Sequence, residues 1–586
     1  MPEPVTQPTP KDELRRARIA AATPKPLVDK MLAADLSGER KPVTAVFADV
    51  VGSTALMETI DPEDWTAIIN QAFDLMSQAI YRYEGTIAQL QGDAMLAFFG
   101  APVAHEDDPE RAVRAALDMV AGIEEYARQL KESEGIEFQI RAGINSGLVL
   151  AGRVGSDLRY EHTALGDAVN VAARMQAAAR PGVVVITADT YRFIAPIFEV
   201  NDLGRLDLKG KSEPVQAYEV VKAKDEPGRK RGLAGLDSPM VGRDEDLERL
   251  VTLLGVVRAG RGRPVCVIGE PGIGKTRLLS ELKANAASGD GSHEPMKWAE
   301  GRCLSFGRNL PYHLLLDLIR SIIGVPGSAE PDETREALVG SLADLPEESR
   351  GDLRVFLSHL LTLPLDDDDK GRIAGIDPEA LKFRYIGAIR TLLGAVTRKA
   401  PLVLLCEDVH WADDASVEVV SNLLPYFGGL PILFVVTTRP EQDTPGWGLI
   451  TGTREVFGET LTELKLNPLS QDQSRELVSN LLEIESLPAH IRDHILNRAE
   501  GNPFFVEEII RTLIDYGAII QVGPRWVATP VAEKVRLPDT LQGLLLQRID
   551  RLPDETKHVL RLASVIGRQF PAKVLEKIVS PPKGGP

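Results

Sequence analysis

The chain has 586 residues and a net charge of −18, from 67 Lys and Arg against 85 Asp and Glu. At about 100–200 residues per domain the length implies several domains, and 44% hydrophobic with 26% charged residues excludes a disordered or fibrous chain. The acidic balance disfavours non-specific binding to nucleic acid or anionic membranes, and apolar runs such as PLVLLC (401–406) and PILFVV (431–436) are strand-sized, far short of the roughly 20 residues that cross a bilayer.

Residues 1–40 open with MPEPVTQPTP, lack the apolar core of a secretion signal and read as a tail. Three well-separated cysteines give no disulfide framework and, with the missing signal core, predict a cytoplasmic protein; the short apolar runs and acidic charge predict no membrane partner. Over residues 41–221, strand-like runs (VTAVFADV, MLAFFG, FQIRAGINSG, GVVVIT) alternate with helix-like ones that start at Asp61-Pro62 and Asp108-Pro109, which predicts an α/β domain. The Gly- and Pro-rich stretch 222–238, with a basic cluster, reads as a linker.

A second α/β pattern fills 239–465, with strands predicted at PVCVIG, MKWAEGRC, PLVLLCED and ILFVVTT. Within it, the acidic run DDDDK (366–370) reads as a solvated loop. Residues 466–518 have helical spacing and are expected to form a lid. The run AIIQVGPRWVA then resembles a small hairpin, opening a winged-helix-like module over 519–586. The chain ends in SPPKGGP soon after an apolar helix, so this last module is expected to be incomplete.

Two aspartates carry the first chemical signal. Asp49 closes an apolar strand and is followed by Gly52-Ser53-Thr54, while Asp93 sits at a turn between two strand-like runs. Carboxylates at strand ends can converge on two Mg²⁺ or Mn²⁺ ions, and the Gly52, Ser53 and Thr54 backbone can meet phosphates at a helix start. Asn170 and Arg174, spaced i, i+4, share one helix face and suit a ribose and a phosphate.

The ordered segments FADVVGST, QGDAMLAFFG, RAGINSGLVLAG, HTALGDAVNVAARM and LKGKSEPVQAYEV resemble the class III nucleotidyl cyclases. The resemblance implies a ferredoxin-like α/β fold and two metal ions held by Asp49 and Asp93. It also implies transition-state stabilisation by Arg174, ribose orientation by Asn170, and a site completed by a homodimer. ATP-using members commonly carry Lys where this chain has Gln89, a departure that leaves ATP, GTP or a degenerate domain open. Thr163 matches the Thr-bearing subgroup that includes soluble adenylyl cyclase, and favours ATP as substrate.

The second signal is GEPGIGKT, in which Gly269, Gly272, Gly274, Lys275 and Thr276 satisfy GxxxxGK[ST] between a strand and a helix. Backbone N–H groups and Lys275 cradle phosphates, and Thr276 ligates Mg²⁺ of bound ATP or ADP. Glu407 and Asp408 close an apolar strand, as a Walker B site requires; either acid suits the metal, the other positioning water. His410 beside them is a candidate for the nucleotide site or a relay.

With VGRDEDLERL before the P-loop, VVTTRPE after Walker B and GNPFFVEEI in the helical region, this half resembles the STAND signalling ATPases of the AAA+ class. The resemblance implies Arg243 and Pro503 near adenine, and Thr438 or Arg439 as the γ-phosphate sensor. The expected whole is an adenylate cyclase regulated by an attached ATPase switch, open to an unidentified protein or small-molecule regulator. The alternative is a signalling scaffold with a degenerate or guanylate-accepting cyclase domain. The acidic balance argues against DNA binding by the winged-helix-like module.

Overall fold

The computed structural model describes residues 39–101, 104–105, 107–153, 162–165, 167–207, 214–224, 239–287, 295–305, 307–327, 329–482, 489–515, 517–522, 525–530, 559–560 and 563–564. They fall into two compact units, one of residues 1–224 with 537–586 and one of residues 225–536.

The first unit runs β1 (Glu39–Val50), α1 (Ser53–Thr59), α2 (Pro62–Arg82), β2 (Thr86–Gln91), β3 (Ala94–Phe99), α3 (Asp108–Glu134), β4 (Ile140–Arg153), β5 (His162–Leu165), α4 (Asp167–Ala178), β6 (Val184–Thr187), α5 (Ala188–Ile194), β7 (Phe198–Leu206) and β8 (Val215–Ala223). The sheet order is β2-β3-β1-β4-β6-β8-β7, with β5 on β4. Its β2-β3-β1-β4 portion is antiparallel throughout, the ferredoxin-like arrangement. The sheet begins two residues before the expected limit of 41 and ends two after 221. The polar, irregularly paired β7 escaped the sequence pattern because its period is broken by two register shifts against β8.

Alternation along β1 places Val43, Ala45, Phe47 and Asp49 on one face. There Val43 and Ala45 join Ala168 and Ala172 of α4 in a core, with Phe47 packed against it. Close approach of α4 depends on Gly143 of β4: a Cβ there would lie 2.0 Å from Gln176 N and 2.3 Å from Ala172 O. A buried polar network fixes the start of α4, with Asn145 Nδ2 donating to Ala168 O (3.0 Å) and Thr187 Oγ1 donating to Asn145 Oδ1 (2.7 Å).

The second unit runs α6 (Asp244–Arg258), β9 (Arg263–Gly269), α7 (Lys275–Ala287), β10 (Lys297–Arg302), α8 (His313–Ile323), α9 (Pro331–Leu342), α10 (Glu347–Leu360), α11 (Asp367–Ile373), α12 (Pro378–Lys399), β11 (Leu402–Glu407), α13 (Asp414–Phe427), β12 (Ile432–Thr438), α14 (Pro445–Phe457), β13 (Thr462–Leu466), α15 (Gln471–Leu482), α16 (Ala489–Ala499), α17 (Pro503–Asp515), β14 (Ile519–Val522) and β15 (Arg525–Ala528). The sheet β10-β11-β12-β9-β13 is wholly parallel. It is covered on both faces, which is why alternate residues such as Leu404 and Leu405 enter different cores. Helices α15 to α17 pack with the β14–β15 hairpin in a third core.

The four predicted strands are present, and the fifth, β13, was missed because it is short, with alternating burial at the sheet edge. The DDDDK run is not a loop. Asp366 caps α11 by accepting from Asp369 N–H (2.8 Å), and the carboxylates of Asp367, Asp368 and Asp369 fill its first turn, where the helix dipole favours negative charge. Asp369 is buried against Arg354 (2.7 Å). The winged-helix-like module, the linker and the tail lie almost wholly outside the described residues.

Candidate active site and nucleotide-binding site

In the first unit, antiparallel pairing sets Asp49 opposite Ala94 on β3 and Arg141 on β4. Asp93 stands in the turn that joins β2 to β3, so it approaches the end of β1. Burial and the Asp93 carboxylate push the Asp49 carboxyl up to about 6, opposed by Arg141 and Gln176. Gln176 Nε2 donates to Asp49 Oδ2 at 3.2 Å, and Arg141 lies 3.7 Å from the same oxygen. Two carboxylates pressed together relieve their repulsion by sharing a proton or a cation, so this donor pair fits a hard divalent ion. Among the described residues no group of three or more His, Cys, Asp or Glu is placed to hold a metal; water or substrate oxygens would complete the shell.

Gly52 takes the left-handed conformation (φ 67°) that turns β1 into α1, whose first turn carries Ser53 and Thr54. A register shift between Ile87 and Gln89 re-aims β2 and leaves Gln89 exposed opposite Leu96. Thr163 pairs with Gly152 through the backbone, and its side chain lies outside the described set. Asn170 is exposed and Arg174 half-buried, on the outward side of α4. Among the described hydrogen bonds and ion pairs, neither reaches Asp49 or Asp93. Gln176 and Arg141 were not singled out from sequence; Gln176 is the residue immediately after the quoted run HTALGDAVNVAARM, and Arg141 is the first residue of RAGINSGLVLAG.

In the second unit, β9 delivers the P-loop. Lys275 is buried and its Nζ donates to Gly269 O (2.7 Å) and Glu270 O (3.1 Å), folding the ammonium over the loop. Gly272 (φ 73°) and Gly274 (φ 103°) are left-handed. Thr276 Oγ1 donates to Glu407 Oε1 at 2.7 Å, which brings the two candidate metal ligands together. Asp408 also has a left-handed backbone (φ 57°), and its N–H donates to Thr437 Oγ1 at 2.8 Å. Burial pushes the Asp408 carboxyl up, but His410, Lys275, Arg302 and Arg439 outweigh it and hold it below the ordinary range.

His410 is fully buried; its carbonyl accepts from Arg308 (2.6 Å) and its ring lies against Trp411. Thr438 is buried and donates to the Arg439 carbonyl (3.2 Å), whereas the Arg439 guanidinium lies over Trp411. Arg243 donates to Ile273 O (3.2 Å) and Asn467 O (2.6 Å), joining the P-loop to the segment after β13. Pro503 begins α17, and its neighbours hold the P-loop: Asn502 Nδ2 donates to Pro271 O (2.9 Å) and Phe504 N–H to Gly272 O (3.3 Å). A Cβ on Gly272 would come within 2.6 Å of Phe504. Asn502, Arg302 and Thr437 were missed from sequence; Asn502 lies in the quoted GNPFFVEEI run.

Family models match both units. One described as the adenylate and guanylate cyclase catalytic domain covers residues 37–222, an AAA ATPase domain covers 239–435, and a domain of unknown function covers 470–521. An uncharacterized protein of Rhizobium meliloti (strain 1021) is 26% identical over 551 residues, 92% of this chain and 50% of that protein. Adenylate cyclase 1 of the same organism is 34% identical over 226 residues, 36% of this chain and 33% of that protein. Adenylate cyclase type 10 of Rattus norvegicus is 23% identical over 509 residues, 85% of this chain and 30% of that protein. The chain thus spans half the length of the first and about a third of the other two. Among the described residues no helix is long and apolar enough to cross a membrane. This chain carries a class III adenylate and guanylate cyclase catalytic domain over residues 37–222, followed by an AAA ATPase domain over residues 239–435.

Proposed function

We propose that this chain is an adenylate cyclase that converts ATP to 3′,5′-cyclic AMP and pyrophosphate at sites shared between two copies, under control of its ATPase domain. The observation that carries this is the division of α4: its inward side bonds to Asp49, while Asn170 and Arg174 on its outward side reach neither aspartate among the described hydrogen bonds and ion pairs. Such halves make one site when a second copy supplies the missing half. ATP as substrate is supported by Thr163 and by relatives named adenylate cyclases, one of them matched across both domains.

In this reading Asp49 and Asp93 hold two divalent ions, Mg²⁺ or Mn²⁺. When bound, these supply Lewis-acid activation of the ribose 3′-hydroxyl and charge neutralisation of the β- and γ-phosphates. Asn170 orients the ribose so that the 3′-oxygen lies in line with the α-phosphorus. The 3′-oxygen bonds to that phosphorus as its proton passes to solvent water, and the bond to the bridging oxygen breaks so that pyrophosphate leaves. Arg174 stabilises the charge that gathers on the equatorial oxygens. Gln89 and Thr163 face the base, and Gly52, Ser53 and Thr54 the phosphates.

The ATPase domain is a STAND-type switch. Lys275 and the Gly269, Gly272 and Gly274 backbone take the phosphates of ATP or ADP, Thr276 and Glu407 the Mg²⁺. Asp408, amid cations, positions water, and Arg439 rather than Thr438 reads the γ-phosphate, because the Thr438 hydroxyl is spent on backbone. His410 sets the Asp408 carboxylate, and Arg243 and Pro503 line the adenine side. Residues 466–518 serve as its lid, 519–586 open a winged-helix-like module, and 222–238 link the domains. The three buried free cysteines suit a reducing cytoplasm.

The test is cyclic nucleotide formation by the purified chain with Mg²⁺ or Mn²⁺, from ATP and from GTP. Cyclic AMP formed with the higher kcat/KM supports the reading. Preferred cyclic GMP overturns the substrate, and neither product from a folded dimer overturns the enzyme in favour of a scaffold.

A further inference from the structure

The Asp49 carboxylate is tied to α4 twice. Gln176, only 4% exposed, donates directly to Asp49 Oδ2. Arg141 approaches the same oxygen with one nitrogen, while NH1 donates to the carbonyl of Ala177 at 3.2 Å. Both ties end on successive residues of one turn, just after Arg174. Helix α4 cannot slide away from them freely, because Gly143 lets its backbone rest directly on β4, and Gly143 pairs with Phe47, two residues before Asp49. Asn170 and Gln176 are separated by only about 9 Å of helical rise, so a shift of one is felt at the other.

A cation taken up by the Asp49 carboxylate draws electron density from Oδ2, which weakens it as an acceptor for Gln176, and repels the Arg141 guanidinium. Both effects act on α4. We propose that Gln176 and Arg141 are positioning residues that transmit cation binding at Asp49 to the placement of Asn170 and Arg174. This rests on the reading of the site as shared between two copies. There, α4 of one copy completes the site whose aspartates belong to the other copy, so cation binding at one site presets the transition-state contacts of its neighbour.

The test uses the full chain with Mn²⁺ alone, without nucleotide. Mn²⁺ binding is followed by electron paramagnetic resonance, and the α4 amides by hydrogen exchange. In wild type, Mn²⁺ changes exchange across 167–178. In Gln176→Met, Mn²⁺ affinity does not fall, because the hydrogen bond that the cation weakens is already absent and the coupling is reciprocal, and at saturating Mn²⁺ the α4 response shrinks. Arg141→Gln, at a part-exposed position that does not endanger folding, also shrinks the response. A full α4 response in both variants with Mn²⁺ bound overturns the proposal and leaves the shared site standing. Equal Mn²⁺ binding by wild type and Asp49→Asn overturns Asp49 as a cation ligand, and the proposal with it.

Discussion

The Asn502 carboxamide reaches across 231 residues of sequence to donate to the Pro271 carbonyl of the P-loop, while its own oxygen accepts the Phe504 N–H at 3.1 Å. One side chain thus joins the phosphate-binding loop to the start of α17. Asn502→Ala removes the joint and leaves a half-buried carbonyl with one donor fewer, at about 1 kcal/mol. ADP binding at the P-loop, measured by calorimetry in an Asp49→Ala background, is expected to weaken about fivefold. Unchanged affinity would show that α17 docks without regard to the P-loop.

Gly143→Ala tests the seat of α4. The added methyl would meet helix backbone, which cannot step aside as a flexible side chain does. The expected cost is about 3 kcal/mol or more, seen as a lower melting temperature of the cyclase unit, with cyclase activity lost. A wild-type melting temperature would contradict the close approach.

Gln89 stands exposed just past the irregularity in β2 and offers a neutral amide that both donates and accepts. Gln89→Lys is expected to raise the preference for ATP over GTP, read as the ratio of kcat/KM values. An unchanged ratio removes Gln89 from base recognition.

Glu507 gives the ATPase unit a pH dependence. Burial pushes its carboxyl up to about 7, with Arg511 and Arg277 opposing and Glu508 adding to the shift. The folded unit therefore holds this proton more tightly than the unfolded chain. The stabilisation is complete below the ordinary value of 4.5 and is lost as pH rises through about 7. Glu507→Gln keeps the neutral form. It should gain stability over wild type between about pH 5 and 8, by at most on the order of 3 kcal/mol, measured by thermal unfolding across pH. Parallel curves for the two proteins would refute the shift.

The legible parts of this chain are those written in contiguous residues. The P-loop, the Walker B strand and the ends of β1 and β3 each lie within about a dozen positions, where strand and helix periods can be read directly. Contacts between distant segments leave no such trace. Gln176 to Asp49 spans 127 residues, and Gln176 stands just past the end of HTALGDAVNVAARM, where nothing marks it as a buried polar residue that turns toward another strand. In GNPFFVEEI the proline marks the helix start, and nothing in the run shows that the Asn502 side chain makes the P-loop contact. The DDDDK run misled because charge was read as solvation, whereas a cap at Asp366 and the helix dipole make it a helix start. β13 was hidden by its length and edge position.

The central claim is that one active site is assembled from two copies of the chain, and subunit complementation tests it most directly. Asp49→Ala and Arg174→Ala are each expected to lower the cyclase rate about 10²–10³-fold. Equal amounts of the two, dissociated and reassembled together, leave half of the dimers mixed, each with one intact site. Recovered activity is then about a quarter of wild type. Mixed dimers confirmed by differential tags but no more active than either parent would contradict the shared site.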